Sequence, residues 1–184
     1  MAEQFAELSD ELTRFVGEQK VFFVATAAPD GRINLSPKGQ DSLRVLNPHE
    51  ILWMNLTGSG NETAAHLSEF NRMTMMWCAF EGRPRILRVY GTAKVFHPWD
   101  ARWAEFSTQL PSTTGTRQYV LVSIDVVQTS CGHAVPFMNY VEDRHVLSTW
   151  AEKQGEKGIT EYWQKKNQLS INGKPTGILG SSCD

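Results

Sequence analysis

Ile51-Leu52-Trp53-Met54-Asn55-Leu56-Thr57-Gly58-Ser59-Gly60-Asn61-Glu62-Thr63-Ala64-Ala65-His66-Leu67-Ser68-Glu69-Phe70 runs from an apolar stretch through two glycines into a helix-forming stretch. The first six residues read as a strand and Ala64 to Phe70 as a short helix. Glycines and small polar residues at a helix start let backbone N–H groups converge on an anion, and the helix dipole adds partial positive charge. Thr57 to Thr63 is therefore a phosphate cradle or an ordinary capped loop, since the same residues serve turns and N-caps. It is neither a Walker loop, for no Gly-Lys-Ser/Thr closes it, nor the dinucleotide G-x-G-x-x-G.

Upstream, Ser9 to Gln19 reads as a helix, with a good N-cap and with Leu8, Leu12, Phe15 and Val16 at helical spacing. Val21 to Ala28 and Ile33 to Gly39 flank Pro29-Asp30-Gly31-Arg32, which predicts a β-hairpin. Pro37 has no N–H for a sheet ladder, so its strand ends or lies at an edge there. Ser36, Lys38 and the Gly39 backbone then stand at an open strand end suited to a small anion, or Lys38 is simply a solvated surface lysine. Asp41 to Leu46 forms a short further strand, ended by Asn47-Pro48.

Downstream, Met73 to Phe80 is nearly continuous in apolar residues and reads as a strand buried on both faces. Arg85 to Phe96 is a long strand in which Ile86, Arg88 and Tyr90 share one face, and Leu87 and Val89 the other. Arg88 among apolar neighbours calls for a carboxylate or a phosphate. Gly91 marks a bulge or bend. Trp99 to Leu110 reads as a helix, Pro111 to Arg117 as a polar loop and Tyr119 to Val127 as a strong strand. Ser148 to Asn167 is helical, broken near Gly155 to Gly158, and Ser170 to Asp184 reads as a loose tail. Many strands with helices set between them favour a mainly β (α+β) architecture, an antiparallel barrel with peripheral helices, over a doubly wound parallel sheet. The expected organisation is one domain over 1–184, with a core of about 20–131 and a helical extension at about 148–168.

At 184 residues and a formal net charge of -2, the charge balance points to neither a nucleic-acid footprint nor an anionic membrane surface. No basic-plus-apolar leader opens it and no apolar run has the length of a membrane span. Cys78, Cys131 and Cys183 read as reduced thiols, which gives a cytoplasmic expectation. The six tryptophans suit a core, an interface or the wall of an aromatic pocket. His66, on the short helix, suits packing rather than catalysis. Cys131-Gly132-His133 offers too few ligands for a metal, and none is expected.

Val24-Ala25-Thr26 with Pro29-Asp30-Gly31, Asn34-Leu35-Ser36-Pro37-Lys38-Gly39, Thr57 to Thr63 with His66-Leu67, and Pro84-Arg85-Ile86-Leu87-Arg88-Val89-Tyr90-Gly91 follow one another in the order seen in a known family. From about Phe22 to Cys131 the chain resembles the pyridoxamine 5'-phosphate oxidase-related, FMN-binding split-barrel superfamily. The resemblance implies a homodimer of six-stranded antiparallel split barrels with FMN in grooves at the interface. The cofactor positions it implies are Ser36, Pro37 and Lys38 on one strand, Thr57, Ser59, Gly60, Asn61 and Thr63 in the glycine loop, and Arg85 and Arg88 on another strand. Cys131 to Phe137 resembles a loop of close relatives that closes over a neighbouring ligand.

Two departures stand out. Glu62 or Thr63 occupies the helix start where many members have a basic residue. The C-terminal arginine-rich substrate signature is also missing, Arg144 being the last arginine, so pyridoxamine phosphate is not the expected substrate. The implied function is an FMN-dependent oxidoreductase that passes hydride from a nicotinamide donor to a small acceptor or oxygen. No catalytic side chain is assigned. A non-catalytic flavin or haem carrier or sensor, a deazaflavin protein and a cofactor-free dimer are the alternatives.

Overall fold

Residues 2–180 are described by a computed structural model. The elements are β1 (Glu3–Phe5), α1 (Asp10–Glu18), β2 (Phe22–Thr26), β3 (Asn34–Lys38), β4 (Leu43–Asn47), β5 (Glu50–Leu56), α2 (Glu62–Glu69), β6 (Arg72–Cys78), β7 (Ile86–Phe96), α3 (Trp103–Gln109), β8 (Thr116–Ser130) and α4 (Val146–Lys166). The strands form one antiparallel sheet in the order β3-β2-β6-β7-β8-β5-β4, with β1 paired to β8.

Side-chain alternation sorts this sheet into two faces. Val24, Trp53, Met75, Trp77, Val89, Val120 and Val122 point inward with Leu12, Phe15 and Val16 of α1. Leu52, Met54, Phe96, Tyr119 and Leu121 point the other way and pack on Phe106 and Leu110 at α3. The sheet curls until Phe22 of β2 meets Trp53 of β5 edge-on, ring centroids 6.4 Å apart, although three strands separate them in the sheet order. β3 and β4 remain unpaired to each other, which leaves the barrel split.

Three register shifts bend the sheet: Leu46 is the extra residue of β4 opposite Ile51 and Glu50, and two more lie along β8. Of these two, one lies opposite Tyr90 and Gly91 of β7, where the glycine predicts a bulge, with Asp125 as the extra residue of β8. A Cβ on Gly91 would fall 2.0 Å from the Ser123 carbonyl oxygen, so no other residue fits without moving β8. The second lies where Asn55 pairs with Gln118 but Leu56 pairs with Thr116, leaving Arg117 as the extra residue of β8.

Several expectations need correction. The sheet has eight strands among the described residues rather than the six that the resemblance implies: the seven read along the sequence, and the exposed Glu3–Phe5, which joins β8 by backbone pairing that no apolar pattern announces. The β2–β3 connection runs over 27–33, longer than Pro29 to Arg32, with its tip pinned by Lys174 to Asp30 at 2.7 Å. β6 is buried on one face only, Thr74 and Met76 being half-buried on the other. β8 begins at Thr116, taking Arg117 out of the expected loop. The turns after Trp99 shorten α3 at its start. By contrast, α4 breaks at Gly155 as the sequence predicts, and its φ of 64° and ψ of 176° suit glycine alone.

The loose tail is also overturned as far as Gly180. Ser170, Thr176 and Ile178 are buried, and Ser170 N–H donates to the Lys174 carbonyl at 2.8 Å. Cys183 lies outside the described residues. No helix among the described residues is long and apolar enough to cross a membrane.

Candidate functional site

The glycine loop joins β5 to α2 at one end of the barrel. Its first residue, Thr57, is buried and braced rather than open. Its N–H and Oγ1 both donate to the Gly115 carbonyl, at 2.8 and 2.9 Å, and Oγ1 accepts Trp163 Nε1–H at 2.9 Å. Ser59 and Gly60 are exposed, lining a cleft of about 570 Å³ with Asn34 and Leu35 of β3 and Leu169 and Ile171 beyond α4. Asn61 caps α2 by position, but its side chain makes no capping bond. It is 1% exposed, and both Oδ1 and Nδ2 lack a hydrogen-bond partner. Buried amides without partners are costly, so Asn61 suits a ligand group or water at the loop. Thr63, also buried, accepts Asn34 Nδ2–H at 3.3 Å, which ties the loop's helix to β3. His66 is buried, with Nδ1 3.1 Å from Thr26 Oγ1, which links α2 to β2.

Below the loop, the inner face of the barrel turns from apolar to polar. Lys38 pairs with Phe22 on β2 and shares its inward face, with Nζ 5.2 Å from the Trp53 ring centroid. Asn55 donates to Gln118 Oε1 at 3.1 Å on the row above Trp53. Arg117, re-aimed by its bulge, donates from Nη1 to the Gly60 carbonyl at 2.9 Å and to Asn167 Oδ1 at 2.8 Å. Its Nη2 donates to Asn55 Oδ1 at 3.3 Å, while Nε–H lacks a partner.

Arg117 is 3% exposed, and all three of its acceptors are neutral. Burial pulls its guanidinium down to about 10. Burial and the Arg117 charge together pull the half-buried Lys38 ammonium down to about 8. Neither cation has a carboxylate in ion-pairing range among the described residues. A buried arginine and a half-buried lysine, uncompensated beside the orphaned Asn61 amide, suit the receipt of negative charge.

The C-terminal segment closes the site from outside. Asn167, fully buried, donates from Nδ2 to the Gly58 carbonyl at 3.0 Å while it accepts from Arg117. Glu62, the acidic departure at the helix start, accepts the Ile171 N–H at 3.1 Å. Lys174 bonds Glu69 at 2.6 Å, fixing the far end of α2.

The sequence-derived set therefore divides. Thr57, Ser59, Gly60, Asn61 and Thr63 lie together in the loop, with Lys38 on the inner face beneath. Ser36 shares the inward face of β3, opposite Val24, while Pro37 is exposed on the outward face. Arg85 is elsewhere: its Nη2 bonds Glu11 Oε1 at 2.7 Å and its guanidinium covers the Phe15 ring. Arg88 is half-buried on the outward face, in the row of Pro37, Phe23 and Met76. Among the described residues its partner is the Ser130 hydroxyl at 3.1 Å rather than a carboxylate.

Residues 8–131 match the sequence model described as Pyridoxamine 5'-phosphate oxidase, about two thirds of the chain. The chain belongs to the pyridoxamine 5'-phosphate oxidase family. A curated relative, the pyridoxamine 5'-phosphate oxidase family protein ustO of Aspergillus flavus, is 35% identical over 93% of this chain and 76% of its own length. Among solved structures, HupZ of Group A Streptococcus aligns with a TM-score of 0.51 at 16% identity, over 65% of this chain and 91% of that one. A putative pyridoxamine 5'-phosphate oxidase from Lactobacillus delbrueckii aligns with a TM-score of 0.51 at 22% identity, over 67% and 94%. At these identities the two structures speak to the fold alone, and the antiparallel split barrel is that of the family.

Within this pyridoxamine 5'-phosphate oxidase family chain, sequence reasoning missed Arg117, Asn55, Gln118, Trp163 and Asn167. A bulge residue breaks the alternation that predicts facing, so Arg117 reads as loop. Asn167 and Trp163 lie more than a hundred positions from the loop they hold. The one legible sign was Asn55 within an apolar strand.

Proposed function

We propose that the chain is an FMN-dependent oxidoreductase acting on a small molecule as a homodimer, with the flavin phosphate at the glycine loop. The observation that carries this reading is the buried Arg117 with the half-buried Lys38, both without acidic partners among the described residues, next to the orphaned Asn61 amide. That donor set fits a phosphate dianion: two cations, an amide and the exposed Ser59-Gly60 backbone offer charge-assisted hydrogen bonds. Ser36, Thr57 and Thr63 belong to the walls of the same site, whereas Pro37 stands on the outward face of β3. Bound FMN supplies two-electron redox chemistry.

The chain's own residues bind, orient and exclude water. Lys38 keeps its proton on Nζ near neutral pH and meets the anion. Trp163 and Gly115 hold Thr57 so that the loop does not relax on binding, and Ile171 holds the Glu62 carboxylate by its backbone N–H. The outward sheet face, with Leu35 exposed and Phe23 and Met76 half-buried, supports burial against a second copy. Arg88 on that face would then reach toward the partner rather than its own loop.

The test is an absorbance spectrum of purified protein before and after FMN addition and removal of the excess. Retained flavin bands that bleach with a nicotinamide donor are the expected result. Retained flavin that no donor reduces leaves a carrier, and a Soret band or no chromophore overturns the FMN assignment. Size-exclusion chromatography at the mass of one chain would remove the homodimer.

A further inference from the structure

Asn167 lies beyond the stretch that matches the family, yet it touches both halves of the proposed anion site. Its Oδ1 accepts Arg117 Nη1–H at 2.8 Å and its Nδ2 donates to the Gly58 carbonyl at 3.0 Å. The residue is 0% exposed, and its own backbone is fixed at both ends. Its N–H donates to the Trp163 carbonyl at 2.9 Å, and its carbonyl accepts Thr176 Oγ1–H at 2.6 Å. The amide thus has no freedom to turn away, and a shift of α4 or of 170–176 moves Arg117 and the loop together.

The chemistry of the group matters as much as its position. A buried arginine ordinarily draws a carboxylate, and here every acceptor around Arg117 is neutral. An aspartate at 167 would have nearly the same shape and could still accept from Arg117, but it would cancel the charge. A neutral amide fixes the guanidinium while leaving its positive charge for an incoming anion.

We infer that Asn167 is a positioning residue that sets the anion specificity of the site: it aims Arg117 and the glycine loop at a phosphate group and, being neutral, keeps the cation uncompensated. The inference rests on the flavin-phosphate reading above and extends it to the C-terminal segment, which makes the stretch around Asn167 a determinant of phosphorylated over unphosphorylated ligands.

The experiment compares FMN with riboflavin, which lacks the phosphate, by isothermal titration of wild type, Asn167→Asp and Thr176→Val. Inorganic phosphate is the second probe. Asn167→Asp should weaken FMN and phosphate about 10- to 100-fold, the range of one charged hydrogen bond, and leave riboflavin unchanged. The dependence of FMN affinity on salt should also become shallower, because the site has lost one net positive charge. Thr176→Val perturbs the Asn167 backbone contact without changing charge, so it should keep the wild-type salt slope.

An Asn167→Asp variant that weakens FMN and riboflavin equally, with an unaltered salt slope, reduces Asn167 to a structural residue and overturns the inference. Unchanged FMN affinity overturns it while leaving the flavin reading intact. A wild type that binds neither FMN nor phosphate overturns both.

Discussion

Arg85 and Arg117 stand at two places in one sheet and show what a buried cation is for. Arg85, at the start of β7, reaches Glu11 and lies over Phe15, and its guanidinium holds the Glu11 carboxyl below its usual range. Arg44 with Asp41 and Arg102 with Glu105 repeat the pattern on other elements. Each is an exposed or half-exposed pair that ties neighbouring segments, and such pairs contribute little on a protein surface. Arg117 is more deeply buried than any of them, has only neutral acceptors, and stands near a second cation, Lys38. A fold has no use for two desolvated charges of one sign, because their burial opposes stability. The difference supports the binding role proposed for the glycine-loop end, whereas the paired arginines tie neighbouring segments together.

The contrast breaks most easily at Arg117. Arg117→Met should lower FMN affinity about 100-fold, near the top of the range of about 1.5–3 kcal/mol for hydrogen bonds to a charged group, with circular dichroism unchanged. A variant that keeps full affinity would place the phosphate elsewhere. Lys38→Ala should cost about tenfold, since Lys38 offers a point charge where Arg117 offers a fork.

Lys38 also gives the contrast a pH signature. Its ammonium sits at about 8 in the folded chain against 10.5 ordinarily. Between those values the unfolded chain binds more protons than the folded one, so ligand-free stability rises with pH across that window. FMN affinity moves oppositely and falls above about pH 8, as the folded lysine loses its charge. Melting and titration series from pH 7 to 10 check both slopes, and Lys38→Ala should flatten both. The smallest effect belongs to Arg85→Met, which should leave FMN affinity unchanged. A loss there comparable with Arg117→Met would erase the distinction between the two arginines.

The fold was largely legible because most strands alternate cleanly and the punctuation is strong. Gly91 announced its bulge, Pro37 its edge, and Thr57 to Thr63 the turn into α2. The candidate site was legible only where it is local. The glycine loop and Lys38 are contiguous motifs, whereas Arg117 depends on a bulge that shifts the β5–β8 register by one residue. Asn167 and Trp163 depend on α4 and the segment after it folding back over the loop, and no local pattern encodes such a contact. The intrachain partners of Arg85 and Arg88 were illegible for the same reason. The sequence shows that each needs a partner, but not that Glu11 and Ser130 provide one. Glu3–Phe5 was invisible because its pairing is purely backbone and its side chains are exposed.

The most direct measurement of the central claim is the difference in affinity of the wild-type protein for FMN and riboflavin, by titration at neutral pH and low salt. FMN binding about 100-fold or more tighter than riboflavin is the predicted result, because two uncompensated cations and the loop N–H groups act on the phosphate alone. Equal affinity for the two flavins, or binding of neither, would contradict it.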